Sequence, residues 1–247
     1  MEAYAKEFWL PKLGSSEAEY EDAFSLSKDR FRFAVADGAT ETSFSRDWAK
    51  QLVRAFANKT LSVPISLDEL KPLQSKWKTF VHRHPLPWYA AEKVDNGAFA
   101  AFVGLELSEE RSDTGVRNVW RATAAGDSCL VQVRGDAIFK AFPLTDSASF
   151  NNRPNLLASS SKQNGNESEL VLNADGVYGC DDAFFLMTDA LACWFFREHE
   201  QGNKPWILLK DLDTQGNVSF EKFIADLRAS GRMKNDDVTL LRVDIIP

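Results

Sequence analysis

Three aspartates stand where apolar runs stop or start. Asp37 closes Phe31-Arg32-Phe33-Ala34-Val35-Ala36 and precedes Gly38. Asp189 closes Ala183-Phe184-Phe185-Leu186-Met187-Thr188, and Asp236 opens onto Val238-Thr239-Leu240-Leu241-Arg242-Val243. An ionised carboxylate at the mouth of a buried strand is costly unless something compensates it. Three that converged would repel one another, and a hard divalent cation with oxygen ligands is the simplest remedy. The chemistry to test first is a metal centre for phosphoryl transfer or hydrolysis.

Composition sets the bounds of that idea. The chain has 247 residues, 44% hydrophobic and 26% charged, an ordinary globular mixture with enough apolar residues for a sizeable core. Eighteen Phe and seven Trp make that core aromatic. A net charge of −7 argues against a general nucleic-acid surface and against attraction to anionic membranes. Cys129, Cys180 and Cys193 are odd in number and include no CxxC pair, which fits a reducing compartment and no disulfide scaffold. The first residues lack a basic segment followed by an apolar one, and no apolar stretch reaches the length of a membrane span. The expectation is a soluble cytoplasmic protein with no nucleic-acid or membrane partner.

The elements that must position the aspartates come in groups. Asp22–Ser27 and Phe31–Ala36 read as strands joined at Lys28-Asp29. From Ser43 the period becomes helical, with Trp48, Leu52, Val53 and Phe56 on one face and Ser43 or Ser45 as cap. A second helix starts near Ser66, its Asp68 and Glu69 favouring the positive end of the dipole. Pro85 and Pro87 interrupt it, and Trp88–Lys93 continue it as a separate piece. After Asn96-Gly97, the segments Ala98–Leu107, Val116–Ala125, Ser128–Arg134 and Ala137–Phe142 read as a meander, with Gly135-Asp136 as a tight turn. Residues 143–168 are polar and predict a long exposed loop. Strands follow at Glu169–Leu172 and Ala183–Thr188, helices at Leu191–Glu200 and Phe220–Ala229, and a last strand at Val238–Ile245. Strands grouped apart from helices argue for an α+β layered fold. No repeat or linker divides the chain, so one domain over 1–247 is expected.

Order gives the acidic residues further meaning. Glu21-Asp22 precedes the first strand and Asp37-Gly38 ends the second. Gly126-Asp127-Ser128 sits inside the meander, Thr188-Asp189-Ala190 ends a strand, and Asn235-Asp236-Asp237-Val238-Thr239 opens the last one. This ordered set resembles the metal-dependent protein phosphatase family, type 2C. That family has an acidic pair before a strand, Asp-Gly after an apolar strand, Gly-Asp-Ser, Ser-Asp-Gly and a C-terminal Asp-Asn-hydrophobic-Thr. Gly97-Ala98-Phe99-Ala100-Ala101-Phe102-Val103 is similar to the family's Gly-Ser-Thr-Ala strand. The resemblance runs from Glu21 to Val243.

The resemblance implies a four-layer α-β-β-α sandwich, two antiparallel sheets flanked by helices, with a Mg²⁺ or Mn²⁺ pair at one end. Asp37 would bridge both ions and Gly38 would coordinate through its carbonyl. Asp189 and Asp236 would complete the first ion's shell. Glu21 and Asp22 would hold the second, directly or through its waters, and Asp127 would match the ligand of a third, weaker ion. Asp37, Asp22 and Glu21 would thereby carry catalysis: hydrolysis of phosphoserine or phosphothreonine in proteins by a bridging water, within a serine/threonine kinase pathway. Oxygen-only ligands suit both ions, and phosphoryl transfer needs positioning and charge neutralisation more than a side-chain nucleophile.

The sequence also departs from the family. Glu17 stands where an Arg usually grips the phosphate, and a carboxylate there repels it. Lys12 or Arg153 is the candidate replacement. Ala190 replaces Gly, Asp237 replaces Asn, and Cys129 stands where Arg often follows Gly-Asp-Ser. Two alternatives follow: a phosphatase-like binding module without turnover, and a phosphatase for a small phosphorylated metabolite. Most of these acidic residues also have a plainer reading. Asp37-Gly38 and Gly126-Asp127 would be turn residues, Asp189 a helix N-cap, and Asp236-Asp237 a charged start to an edge strand. Other motifs are set aside. Asp211–Gly216 resembles a calcium loop, but Lys222 occupies its last position, where Glu is required. His82, His84 and His199 read as helix-end residues, Arg134-Gly135-Asp136 as a turn, and Trp194-Phe195-Phe196 as core.

Overall fold

The computed structural model describes residues 1–29, 31–40, 42–83, 97–112, 115–150, 154–164, 167–212 and 217–247. Strands β1 (Glu2–Leu10), β2 (Ala23–Leu26) and β3 (Arg32–Gly38) are followed by helices α1 (Ser45–Ala57) and α2 (Leu67–His82). Then come β4 (Phe99–Ser112), β5 (Gly115–Ala125), β6 (Cys129–Arg134), β7 (Ala137–Phe142) and the short β8 (Leu157–Ala158). The chain continues through α3 (Glu167–Leu170), β9 (Leu172–Val177), β10 (Asp182–Met187), α4 (Asp189–Glu200), α5 (Pro205–Asp211), α6 (Asn217–Ala229) and β11 (Val238–Ile246).

The strands form two sheets with antiparallel pairing throughout. One has the order β1-β11-β10-β6-β7; the other runs β2-β3-β4-β5-β9, with β8 beside β4. Alternation along each strand sorts its side chains between two cores. In β3, Phe33 and Val35 face the other sheet, while Ala34 and Ala36 face Trp48, Leu52 and Phe56 of α1. In β10, Phe184 and Leu186 join the core between the sheets, and Phe185 and Met187 pack against Trp194 and Phe195 of α4. Helices, sheet, sheet and helices therefore stack as four layers. This is the α-β-β-α sandwich expected from the motif order.

Several local expectations need correction. β1 carries no clean alternation, and only Phe8 along it is buried; it forms because β11 offers it nine consecutive residue pairs. The meander is broken, since β5 and β6 belong to different sheets and the chain crosses between them at Gly126–Ser128. Gly126 makes that crossing with φ +86°, where a Cβ would lie 2.7 Å from Ala101 Cβ, so glycine is required. Residues 157–159, inside the expected exposed loop, are buried, and Leu157 O accepts from Trp48 Nε1 at 2.8 Å. The strand expected at Glu169–Leu172 is instead the one-turn α3 leading into β9. β11 lies between β1 and β10, so Asp236-Asp237 does not protect an edge.

Helix starts also differ in detail. Ser66 caps α2 in a reciprocal box with Glu69. Neither Ser43 nor Ser45 caps α1; Phe44 holds that position with φ 62°, and its carbonyl accepts from Trp48 N and Trp77 Nε1. His84, Pro85, Pro87, Trp88–Lys93, Asn96, Arg153 and most of the calcium-like loop lie outside the described residues. Among the described residues, no helix is long and apolar enough to cross a membrane, and the three cysteines are free thiols.

Candidate metal centre

Strand alternation brings the predicted acids to one end of the space between the sheets. Asp37 shares the parity of Phe33 and Val35 in β3, and Asp22 shares that of Phe24 and Leu26 in β2. Thr188 follows Leu186 by two residues, and Thr239 and Asp237 precede Leu241 by two and four. Extrapolated along a pleat, all five sit on the inward face. Asp22 is buried, and its Oδ2 accepts from Thr188 Oγ1 at 3.0 Å and Thr239 Oγ1 at 2.7 Å. Tyr20 extends the group through a hydrogen bond between its hydroxyl and Thr239 Oγ1. Both threonines fall inside the quoted motifs, Thr188 before Asp189 and Thr239 after Val238, but the motif reading gives them no role, and Tyr20 lies outside it. For the threonines the available signal was a hydroxyl at the end of an apolar run; Tyr20, between Glu19 and Glu21, carried none.

The remaining acids come from loops and from the start of α4, against these strand ends. Glu21 Oε1 accepts from Ser45 Oγ at 2.7 Å, so the first residue of α1 orients it, and its Oε2 lies 3.4 Å from Lys12 Nζ. Gly38 passes so close beneath this loop that a Cβ would be 2.9 Å from the Glu21 carbonyl oxygen and 2.8 Å from Ser45 C. Asp127 sits on the turn between the sheets, beside the positive-φ Gly126. Asp189 opens α4 as its first residue, with Thr188 in the cap position, and its Oδ1 accepts from Ala190 N at 2.5 Å. Asp236 meets Lys234 at 2.6 Å, and Lys234 Nζ is also 3.8 Å from Asp189 Oδ2. No motif pointed to Lys234.

Asp237, the replacement for the family's Asn, has a separate task. Its Oδ1 accepts from Lys12 N at 2.8 Å and its Oδ2 from Glu21 N at 2.7 Å. It ties the loop between β1 and β2 to the start of β11. Arg228 of α6 adds to this fixation by donating to the carbonyls of Pro11 and Asp236.

Electrostatics shows that the carboxylates act on one another. Desolvation, then Asp22, Asp189, Asp236 and Asp127, push Asp37 well above the usual carboxylate range. Burial raises Asp22 strongly despite its two threonine donors, with Asp237 and Asp189 adding repulsion. Asp189 is raised by burial and by Asp236. Asp127 is pushed up to about 6 by burial and then Asp189. A cluster of this kind carries a standing cost that a cation relieves.

The residues present fit such a cation in chemistry. Every candidate donor is a carboxylate or carbonyl oxygen, as Mg²⁺ and Mn²⁺ favour. Asp22 Oδ1 is buried and has no hydrogen-bond partner, an orphaned acceptor that an ion or its water shell would satisfy. As the side chains stand, no three His, Cys, Asp or Glu among the described residues form a group that would hold a metal ion. Several of the acids have turned to nearby donors: Asp22 to the threonines, Glu21 to Ser45 and Lys12, Asp236 to Lys234.

No family model matches the sequence, and no curated protein matches it significantly. Solved structures do match. The Mycobacterium tuberculosis serine/threonine phosphatase PstP/Ppp is 14% identical, with 99% of each chain covered and a TM-score of 0.62. Serine/threonine phosphatase Stp1 from Staphylococcus aureus is 11% identical, covering 100% of this chain and 96% of that one at a TM-score of 0.63. The catalytic domain of PstP in complex with two manganese ions is 13% identical, with 99% of each chain covered and a TM-score of 0.60. At these identities the likeness is one of fold: this chain has the fold of the type 2C serine/threonine phosphatases.

Proposed function

We propose that this protein is a Mg²⁺- or Mn²⁺-dependent phosphatase acting on phosphoserine or phosphothreonine in proteins. The observation that carries this reading is the gathering of Asp22, Asp37, Asp127 and Asp189 at one end of the two sheets with Asp236 beside them, burial and acidic neighbours raising the pKa of each of those four. Asp37, Asp189 and Asp236 would hold one ion. Asp37, the Gly38 carbonyl, Glu21 and Asp22 would hold the second, and Asp127 a third, weaker one. The bound ions would supply an acidified water as nucleophile and positive charge facing the phosphate. Thr188, Thr239 and Ser45 then act as positioning residues, fixing the faces that Asp22 and Glu21 present.

Grip on the phosphate falls to Lys12. Glu17 is exposed and of the wrong sign, whereas Lys12 Nζ stands between Glu21 Oε2 and Thr40 Oγ1 beside the acids. Lys12 is kept charged: burial lowers its pKa, but Glu21, Asp237 and Asp236 outweigh that and leave it raised. A single-domain, cytoplasmic protein opposed to a serine/threonine kinase completes the reading. The test is hydrolysis of p-nitrophenyl phosphate and of phosphopeptides with Mn²⁺ added. Wild type should turn over both, and Asp37→Ala and Asp189→Ala should each lose roughly two orders of magnitude or more while still folding. A wild type inert toward both substrates removes the assignment.

A second reading has one observation in its favour. Lys234 already places a cation between Asp236 and Asp189, as a binding module without turnover would. Mn²⁺ that binds and supports turnover excludes it. Turnover confined to small phosphate esters would favour a metabolite phosphatase.

A further inference from the structure

A cavity of about 720 Å³ opens between the loop after β1 and the face of α6, bordered by Trp9, Leu10, Lys12, Glu17, Glu221 and Arg228. It adjoins the acidic centre. Lys12 borders this cavity and also a second one, of about 390 Å³, that contains Glu21, Thr40 and Ser45. The groove is also anchored to the centre. Asp237 holds the backbone N–H of Lys12 and of Glu21, Asn235 holds both the N–H and the carbonyl of Leu13, and Arg228 bonds the Pro11 and Asp236 carbonyls. One wall is thus tied to the chain segment that carries Asp236.

The chemistry of the groove is uneven. Its floor is largely apolar, and Leu13 is 77% exposed beside it. Two of the guanidinium nitrogens of Arg228 are committed to main-chain carbonyls, and Lys12 is turned toward Glu21. The exposed charges left at the rim are the carboxylates of Glu17 and Glu221. A phosphate lodged here would be repelled, whereas a basic side chain on an extended peptide would be attracted from both sides.

We propose that this groove receives the polypeptide flanking the phosphorylated residue and selects a basic side chain there, with Glu17 and Glu221 as the selecting carboxylates. The inference rests on the phosphatase reading for the role of the neighbouring centre. It gives Glu17 a positive function: the position that grips phosphate in the similar family here grips the substrate's cationic neighbour. The phosphate and the basic residue then lie on opposite sides of Lys12.

The test uses two fluorescent phosphonate-bearing peptides that resist hydrolysis, identical except for Arg or Glu beside the phosphonate. Binding to the Mn²⁺-supplemented full chain is read by anisotropy. The Arg peptide should bind about fivefold tighter or more, with the margin shrinking as salt is added. In the Glu17→Gln/Glu221→Gln double variant the two peptides should come within about twofold, while p-nitrophenyl phosphate hydrolysis does not fall below the wild-type rate. Both residues are exposed, so a melting curve suffices to show that the variant folds. Equal binding of the two peptides by wild type, or a preference that survives the double variant, overturns the proposal. Charge preference without any hydrolysis would uphold the groove and sink the phosphatase reading instead.

Discussion

At the scale of single residues, the site consists of acids held together against their own repulsion. Asp22, Asp37, Asp127 and Asp189 all have raised pKa values, so the folded chain binds protons more tightly than the unfolded one. The stability this brings is complete below the unfolded carboxylate pKa and disappears as pH rises through the folded values. For Asp127, with its folded pKa of about 6, the change from about pH 8 to about pH 5 is on the order of 1 kcal/mol. Calorimetric melting in EDTA should therefore show a midpoint that rises as pH falls over this range, and saturating Mn²⁺ should flatten the slope. A midpoint that falls steadily with acidification would mean that the acids do not share one site. The acids were legible because they stand at the ends of apolar runs, most of them next to glycine or another acid. Lys234 was not, nor were the roles of Thr188 and Thr239 within their motifs, since these depend on which strand ends meet, and single-chain spacing does not carry that information.

At the scale of elements, what matters is how a loop is fixed to a strand. Asp237 accepts one backbone N–H on each oxygen, from Lys12 and from Glu21. An amide has a single acceptor oxygen, so Asp237→Asn must face one of those N–H groups with its own NH₂. Although Asn is the residue of the similar family, the substitution should cost about 1–3 kcal/mol. Denaturant unfolding checks this, and an unchanged midpoint would show that the tie is dispensable. The long apolar strands and the box-capped α2 were readable because local pattern and tertiary role agree there. β9 was misread because Leu172-Asn173-Ala174-Asp175-Gly176-Val177 is polar, as suits an edge strand. Its Gly176 fits because a Cβ would lie 2.8 Å from the Trp120 ring. β5 and β6 looked like neighbours because alternation says which way a residue faces and not which sheet it joins.

At the scale of the whole molecule, two sheets and their covering helices bring Asp22, Asp37, Asp127, Asp189 and Asp236 together from segments spread over most of the chain. The layered class was visible in the grouping of strands and helices. The convergence was visible only through the resemblance in motif order, because pairing such as β1 with β11 joins opposite ends of the sequence. The decisive measurement is isothermal titration of the full chain with Mn²⁺, beside Asp37→Ala. Wild type should bind at least two ions saturably, and the variant should lose that binding while still melting cooperatively. Wild-type protein that takes up no Mn²⁺, or Asp37→Ala that binds it unchanged, would contradict the account.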